Sequence, residues 1–222
     1  MTSASGPDAR PTSVLTSLRS LIPPHPIDYE HALLIAERQA AALLRLHKIT
    51  SVPVPSEIIT DLPHITVVHE LTPNSGMSHF NGSHWIITLN SRDSLGKRRI
   101  TLLHEYAHII WHGHEHHLFT SSSPHFRYLQ AEQAADHFAY NVLTPEQHLT
   151  NAWATGRKHI GHLAAEFGVS DYTILARLLQ LRVWLPTHRR RDPHWSQLLA
   201  PITPQHATYD RATEQPEPER AP

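Results

Sequence analysis

The sequence predicts an α+β fold: a small antiparallel sheet packed on a pair of helices, followed by a purely helical section. Three observations predict it. Strand-like runs cluster between residues 64 and 90. Apolar residues recur at helical spacing over about 28–47, 94–112 and 128–143. A further helical pair, about 160–167 and 170–184, meets at Gly168.

In chain order, residues 1–27 are rich in Ser, Thr and Pro and read as a flexible leader, in which Ser13 to Leu21 could form a short helix. Asp28 is an N-cap for a helix whose stripe is Ala32, Leu33, Ile35, Ala36, Ala40, Leu43, Leu44 and Leu46. Pro53 and Pro55 break the chain before a short helical stretch over 56–62. His64 to His69 is β-branched and reads as a strand. Met77–Phe80 and His84–Asn90 flank Asn81-Gly82, the strongest short signal for a hairpin. Ser94 opens the next helix and Gly113 ends it. A His- and Ser-rich loop over 114–126 follows, then a helix to about Leu143. Thr144-Pro145 restarts another, with the proline at its first position. After Pro186 the chain turns to Arg, Pro and Glu, the composition of a disordered tail over 187–222.

Composition removes several classes. The 222 residues contain no cysteine, which excludes thiolate zinc sites, cysteine nucleophiles and disulfide scaffolds. A net charge of −1 gives no general case for nucleic-acid or membrane-surface binding. No run has the length and apolarity of a signal peptide or a membrane span, so a soluble, cytoplasmic protein is expected.

The chemistry centres on Leu102-Leu103-His104-Glu105-Tyr106-Ala107-His108. In a helix, His104 and His108 lie one turn apart on one face and can share a zinc ion. Glu105 stands at the edge of that face, where it can reach a water rather than the metal. A catalytic zinc usually keeps three protein ligands and one open position. Two residues compete for the third place. His114 completes one long zinc motif by spacing, but Trp111 stands where that motif needs glycine, and the only methionines, Met1 and Met77, lie upstream of the required turn. Glu132 is favoured. It lies four residues before Asp136, so both project from one helical face. Glu132 can ligate, and Asp136 can fix the tautomer of a ligating histidine. Small Ala134, Ala135 and Ala139 suit close helix packing.

Arg98–His108, Glu132-x-x-Ala135-Asp136-x-Phe138-Ala139 and Leu143-Thr144-Pro145 together resemble the ImmA/IrrE family of zinc metallopeptidases. The resemblance covers about residues 28–185. It implies a zincin-like domain over 28–158, with His104, His108 and Glu132 as metal ligands and Glu105 as catalytic base. For several members it also implies cleavage of a helix-turn-helix repressor, releasing stress or mobile-element genes. The His-rich loop and the Pro-rich ends depart from the family pattern.

Zinc is the expected cofactor, although two histidines and a carboxylate also suit manganese or iron. A donor for the oxyanion is expected among Tyr106, Tyr128, His137, Tyr140 and His148, between which sequence does not choose. His112 to His117 could be a solvated loop, an auxiliary metal-loading site or a pH-sensitive lid. Residues 159–186 resemble a helix-turn-helix, with Tyr172, Thr173, Arg177 and Gln180 on the presumed second helix. DNA binding through 160–185 is therefore an alternative function, as a transcriptional regulator with a structural zinc. A catalytically silent metal-binding fold is a third.

Overall fold

The computed structural model describes residues 13–182. The expected disordered tail and the first half of the leader lie outside the described residues. Helix α1 is Val14–Arg19 and α2 is Tyr29–Leu46. A single turn, α3 (Glu57–Thr60), leads to strands β1 (Ile65–Glu70), β2 (Gly76–Phe80) and β3 (Trp85–Asn90). Helices α4 (Leu95–Trp111), α5 (Glu115–Leu118), α6 (Pro124–Leu143), α7 (Glu146–Ala154), α8 (Ile160–Phe167) and α9 (Asp171–Gln180) follow.

The caps explain most of these boundaries. Asp28 and Ser94 accept the backbone N–H groups of His31 and Lys97, satisfying donors that the first turn leaves unpaired. Helix α6 begins earlier than the apolar pattern suggests. Ser123 caps it and Pro124 occupies its first position, so the polar residues after them are helical. Helix α7 starts one residue late, with Pro145 as cap.

The sheet differs from expectation in one respect. Its order is β1-β3-β2, and it is mixed: β2 and β3 form the antiparallel hairpin, but β1 joins β3 in parallel. The hairpin folds so that β3 lies in the centre. Its unbroken run Trp85-Ile86-Ile87-Thr88-Leu89 fits a strand bonded on both sides, and Ile87, Thr88 and Leu89 are buried. Strand β2 is left at the edge.

Helix α4 is the axis of the fold. It packs on the sheet through one side and on α6 through another, while α2 covers α6. Ala107 on α4 and Ala134, Ala135 and Ala139 on α6 are fully buried, and their small side chains allow the close approach.

The second half of the leader is docked, not loose. Leu18 is fully buried, worth roughly 1.5–3 kcal/mol. The Arg19 guanidinium donates to the carbonyls of Ile109 and Ile110 in the last turn of α4. Gln39 donates to the Leu18 carbonyl and accepts from the Trp111 indole. The Ser/Thr/Pro-rich composition conceals an apolar row, Val14, Leu15, Leu18, Leu21 and Ile22, that packs on the core.

Helices α8 and α9 meet at Gly168, whose φ of 64° is the left-handed conformation that glycine adopts without strain. Arg99 of α4 reaches into this corner and donates to the carbonyls of Phe167, Gly168 and Val54. Among the described residues no helix is long and apolar enough to cross a membrane.

Candidate metal centre

Helix α4 presents His104 and His108 toward α6, and α6 presents Glu132 back. His104 Nε2 lies 3.1 Å from His108 Nε2. The Glu132 carboxylate completes the triangle, 3.4 Å from His104 Nε2 and 3.3 Å from His108 Nε2. Among the described residues, these are the three acidic or imidazole groups close enough together to hold one ion. His104 and Glu132 are buried and His108 is half-exposed, so solvent and ligands reach the cluster from the His108 side.

The donor set fits zinc. Ligands about 2.0–2.1 Å from a tetrahedral zinc stand about 3.3 Å from one another. The three observed separations bracket that figure. Two imidazole nitrogens facing each other across such a gap also require a proton or a cation between them. The cluster can therefore coordinate a divalent metal of the zinc type.

Asp136, one turn after Glu132, lies 2.9 Å from His104 Nδ1. An ionised carboxylate only accepts, so Nδ1 carries the proton and Nε2 faces the cluster. The charges are tightly matched. Burial alone would disfavour the protonated form of His104, but Asp136 and Glu132 outweigh it and lift its pKa to about 10. Burial likewise opposes ionisation of Glu132, yet the two histidines hold its carboxyl well below the usual range.

Glu105 stands apart from this triangle. It accepts a hydrogen bond of 2.8 Å from Ser78 Oγ on the edge strand. Gly76, at the start of β2, makes the approach feasible. A Cβ there would collide with the Thr101 methyl and stand 3.5 Å from Glu105 Cγ.

The candidate oxyanion donors separate. Tyr106 points away from the cluster into the core, fully buried against Phe138, because two helical residues turn it about 200° from His104. His137 pairs with Glu37 at 2.9 Å. His148 Nε2 meets the Thr50 carbonyl at 3.0 Å. Tyr140 is nearly buried, and burial and then the Asp136 charge raise its pKa. Tyr128 is partly exposed one turn before Glu132. Its pKa rises to about 12 through burial, then the charges of Glu132 and Glu105. His114 stands at the start of α5 and is not in the metal group.

The family model described as the IrrE N-terminal-like domain, a peptidase family, matches residues 61–179. The chain belongs to that family. The match spans the sheet, both helices of the metal group and the α8–α9 corner. No curated protein matches the chain. A solved structure described as a Mycobacterium tuberculosis transcriptional regulator is similar in fold, with a TM-score of 0.56 and 17% identity. That likeness covers 74% of this chain and 51% of the other, so the chain spans about half the length of the protein it resembles.

Sequence reasoning missed Ser78 and Gly76. Asn74-Ser75-Gly76 reads as a turn, and nothing local shows that β2 will lie over Glu105. Only the strand order brings them together.

Proposed function

We propose that this chain is a zinc-dependent endopeptidase that cleaves a helix-turn-helix transcriptional repressor. In this reading His104, His108 and Glu132 are the metal ligands and Glu105 is the general base. The observation that carries it is the three-donor cluster, with a further carboxylate, Glu105, next to His104 on α4 and hydrogen-bonded to Ser78. A zinc ion held by His104, His108 and Glu132 would supply Lewis acidity, acidifying a water toward a pKa of about 7 and polarising a carbonyl. Glu105 accepts the proton and returns it to the leaving amine. Asp136 holds His104 in its ligating tautomer. Tyr128 offers a hydroxyl to the developing oxyanion. Strand β2, which carries Ser78, is an edge strand of the sheet, and an extended chain can add to such an edge as a further strand.

The family and the likeness to a transcriptional regulator support a setting in transcriptional control. A repressor substrate entails a cytoplasmic location. The alternative, a DNA-binding regulator with a structural zinc, is less well supported. Structural zinc sites are normally closed by four protein ligands, and three are grouped among the described residues. Thr173 and Arg177, two of the four presumed base readers, are buried.

The test is incubation of the zinc-loaded chain with a small helix-turn-helix repressor encoded beside it. The wild type cuts the repressor, and Glu105→Gln retains zinc without cutting. Cleavage by Glu105→Gln at the wild-type rate overturns the mechanism. Glu132→Ala loses most zinc affinity while His114→Ala keeps it.

A further inference from the structure

Along α6 from Glu132 lies a cavity of about 700 Å³ that shares only Tyr128 with the chemistry above. Its walls are Pro26 from the leader, Phe119 after α5, and Tyr128 and Ala131 from α6, with Glu115 and Arg127 among the polar groups that also line it. The leader wall is pinned in place. Ile27 N donates to the His117 carbonyl at 2.9 Å, and Thr120 Oγ1 donates to the Ile27 carbonyl at 3.1 Å. Phe119 is buried and braced edge-on by Trp111, with ring centroids 5.5 Å apart. The leader side of the cavity and the Phe119 ring are thus held in place by other contacts.

Its position relates it to the metal group. Tyr128 lines the cavity and precedes Glu132 by one turn of α6, and Ala131 adjoins Glu132 in the chain. The cavity wall and the ligand Glu132 therefore share one stretch of α6, about one helical turn or roughly 6 Å apart along its axis. The size matches pockets of about 300–1,000 Å³ that enclose drug-sized ligands, which is room for about two or three peptide residues.

We infer that this cavity is the specificity pocket of the enzyme and takes a short apolar stretch of the substrate polypeptide, with at least one large aliphatic or aromatic side chain next to the scissile bond. The inference rests on the endopeptidase reading. It has a consequence for substrate choice. Large apolar residues of a folded repressor are mostly buried, so cleavage falls where such residues are exposed in a linker or a locally opened segment.

Two measurements on the full zinc-loaded chain test it. In the first, a randomised peptide library is digested and the cut sites are read by mass spectrometry. The wild type enriches Leu, Ile, Met or Phe at a fixed position beside the cut at least fivefold. Ala131→Trp, which fills the cavity, abolishes that enrichment. His116→Trp, at an exposed lining position that cannot disturb the core, reduces it. In the second, the Glu105→Gln chain is titrated with a fluorescein-labelled dodecapeptide carrying Leu-Phe in a Gln/Ser/Lys background, beside one carrying Asn-Ser. The Leu-Phe peptide binds at least tenfold tighter, and Ala131→Trp or His116→Trp removes the difference. Cleavage without apolar enrichment, or enrichment unchanged in both variants, overturns the pocket and leaves the peptidase standing. Selective binding lost in both variants, with no cleavage of any substrate by the wild type, supports the pocket and overturns the peptidase. Neither cleavage nor selective binding overturns both.

Discussion

Ser78 on the edge strand donates a 2.8 Å hydrogen bond to the carboxylate of Glu105 on the central helix. The bond joins the sheet to the proposed base without touching the metal ligands. Hydrogen bonds to charged groups contribute about 1.5–3 kcal/mol, and water can replace part of that. Ser78→Ala is expected to lower kcat about tenfold, with zinc content and KM unchanged and partial recovery in Ser78→Thr. Steady-state kinetics beside metal analysis check it; an unchanged kcat removes Ser78 from the machinery.

That bond also marks the boundary of what the sequence makes legible. His104, His108, Glu132 and Asp136 are readable because each pair is four residues apart on a helix, and helical geometry is local. The caps at Asp28 and Ser94 are readable for the same reason. The order β1-β3-β2 is not, since a hairpin signal fixes which strands are antiparallel neighbours but not which of them β1 joins. Ser78 and Gly76 inherit that uncertainty. The docking of α1 is hidden differently: its few apolar residues are diluted by Ser, Thr and Pro, and the Arg19 hydrogen bonds reach across some ninety residues.

Metal loading should release protons. In the metal-free protein Asp136 and Glu132, against the effect of burial, raise the His104 pKa to about 10, so it is protonated at neutral pH and zinc must displace that proton. Affinity is expected to rise up to about tenfold per pH unit between pH 7 and 8. Calorimetry in buffers of different ionisation enthalpy should find about one proton released per zinc. Zero release would sink the assignment of His104. The stability signs differ for the two partners. His104, raised above its ordinary 6.5, contributes fully below that value and loses its contribution as pH climbs through about 10. Glu132, depressed below its ordinary 4.5, contributes above that value and loses its contribution as pH falls. A chelated sample should therefore show Tm declining from pH 7 to 10 more steeply than a zinc-loaded one. Asp136→Asn should weaken zinc binding about 10–100-fold.

Arg19 should matter to stability although it lies in the leader. Its guanidinium donates to the carbonyls of Ile109 and Ile110 at 2.8 and 3.1 Å, groups that the end of a helix otherwise leaves unpaired. Arg19→Leu removes two charge-assisted bonds from the last turn of the metal helix. The expected loss is about 2 kcal/mol, a Tm lower by about 4–8 °C. A thermal melt of the zinc-free chain reads this directly. A Tm within a degree of wild type shows that α1 is not a brace for α4.

The α8–α9 corner has the outline of a DNA reader but is built as a brace. Arg177, the one basic residue among the four presumed base readers, is 3% exposed and donates to Asn141 Oδ1 at 2.6 Å. Thr173 is 2% exposed and held at the cap with Ser170. Arg99 donates to Phe167 and Gly168 from the metal helix, turning the corner inward. Removing a cationic side chain that pairs with a phosphate lowers the slope of log affinity against log salt by about one. Arg177→Ala should leave that slope, and any affinity the chain has for a DNA duplex, unchanged between low and physiological salt. The same substitution should lower Tm, because Asn141 Oδ1 on α6 loses its donor from α9. Fluorescence anisotropy and a thermal melt give the two readouts. A shallower salt slope with Tm intact would return the corner to DNA binding and revive the regulator reading.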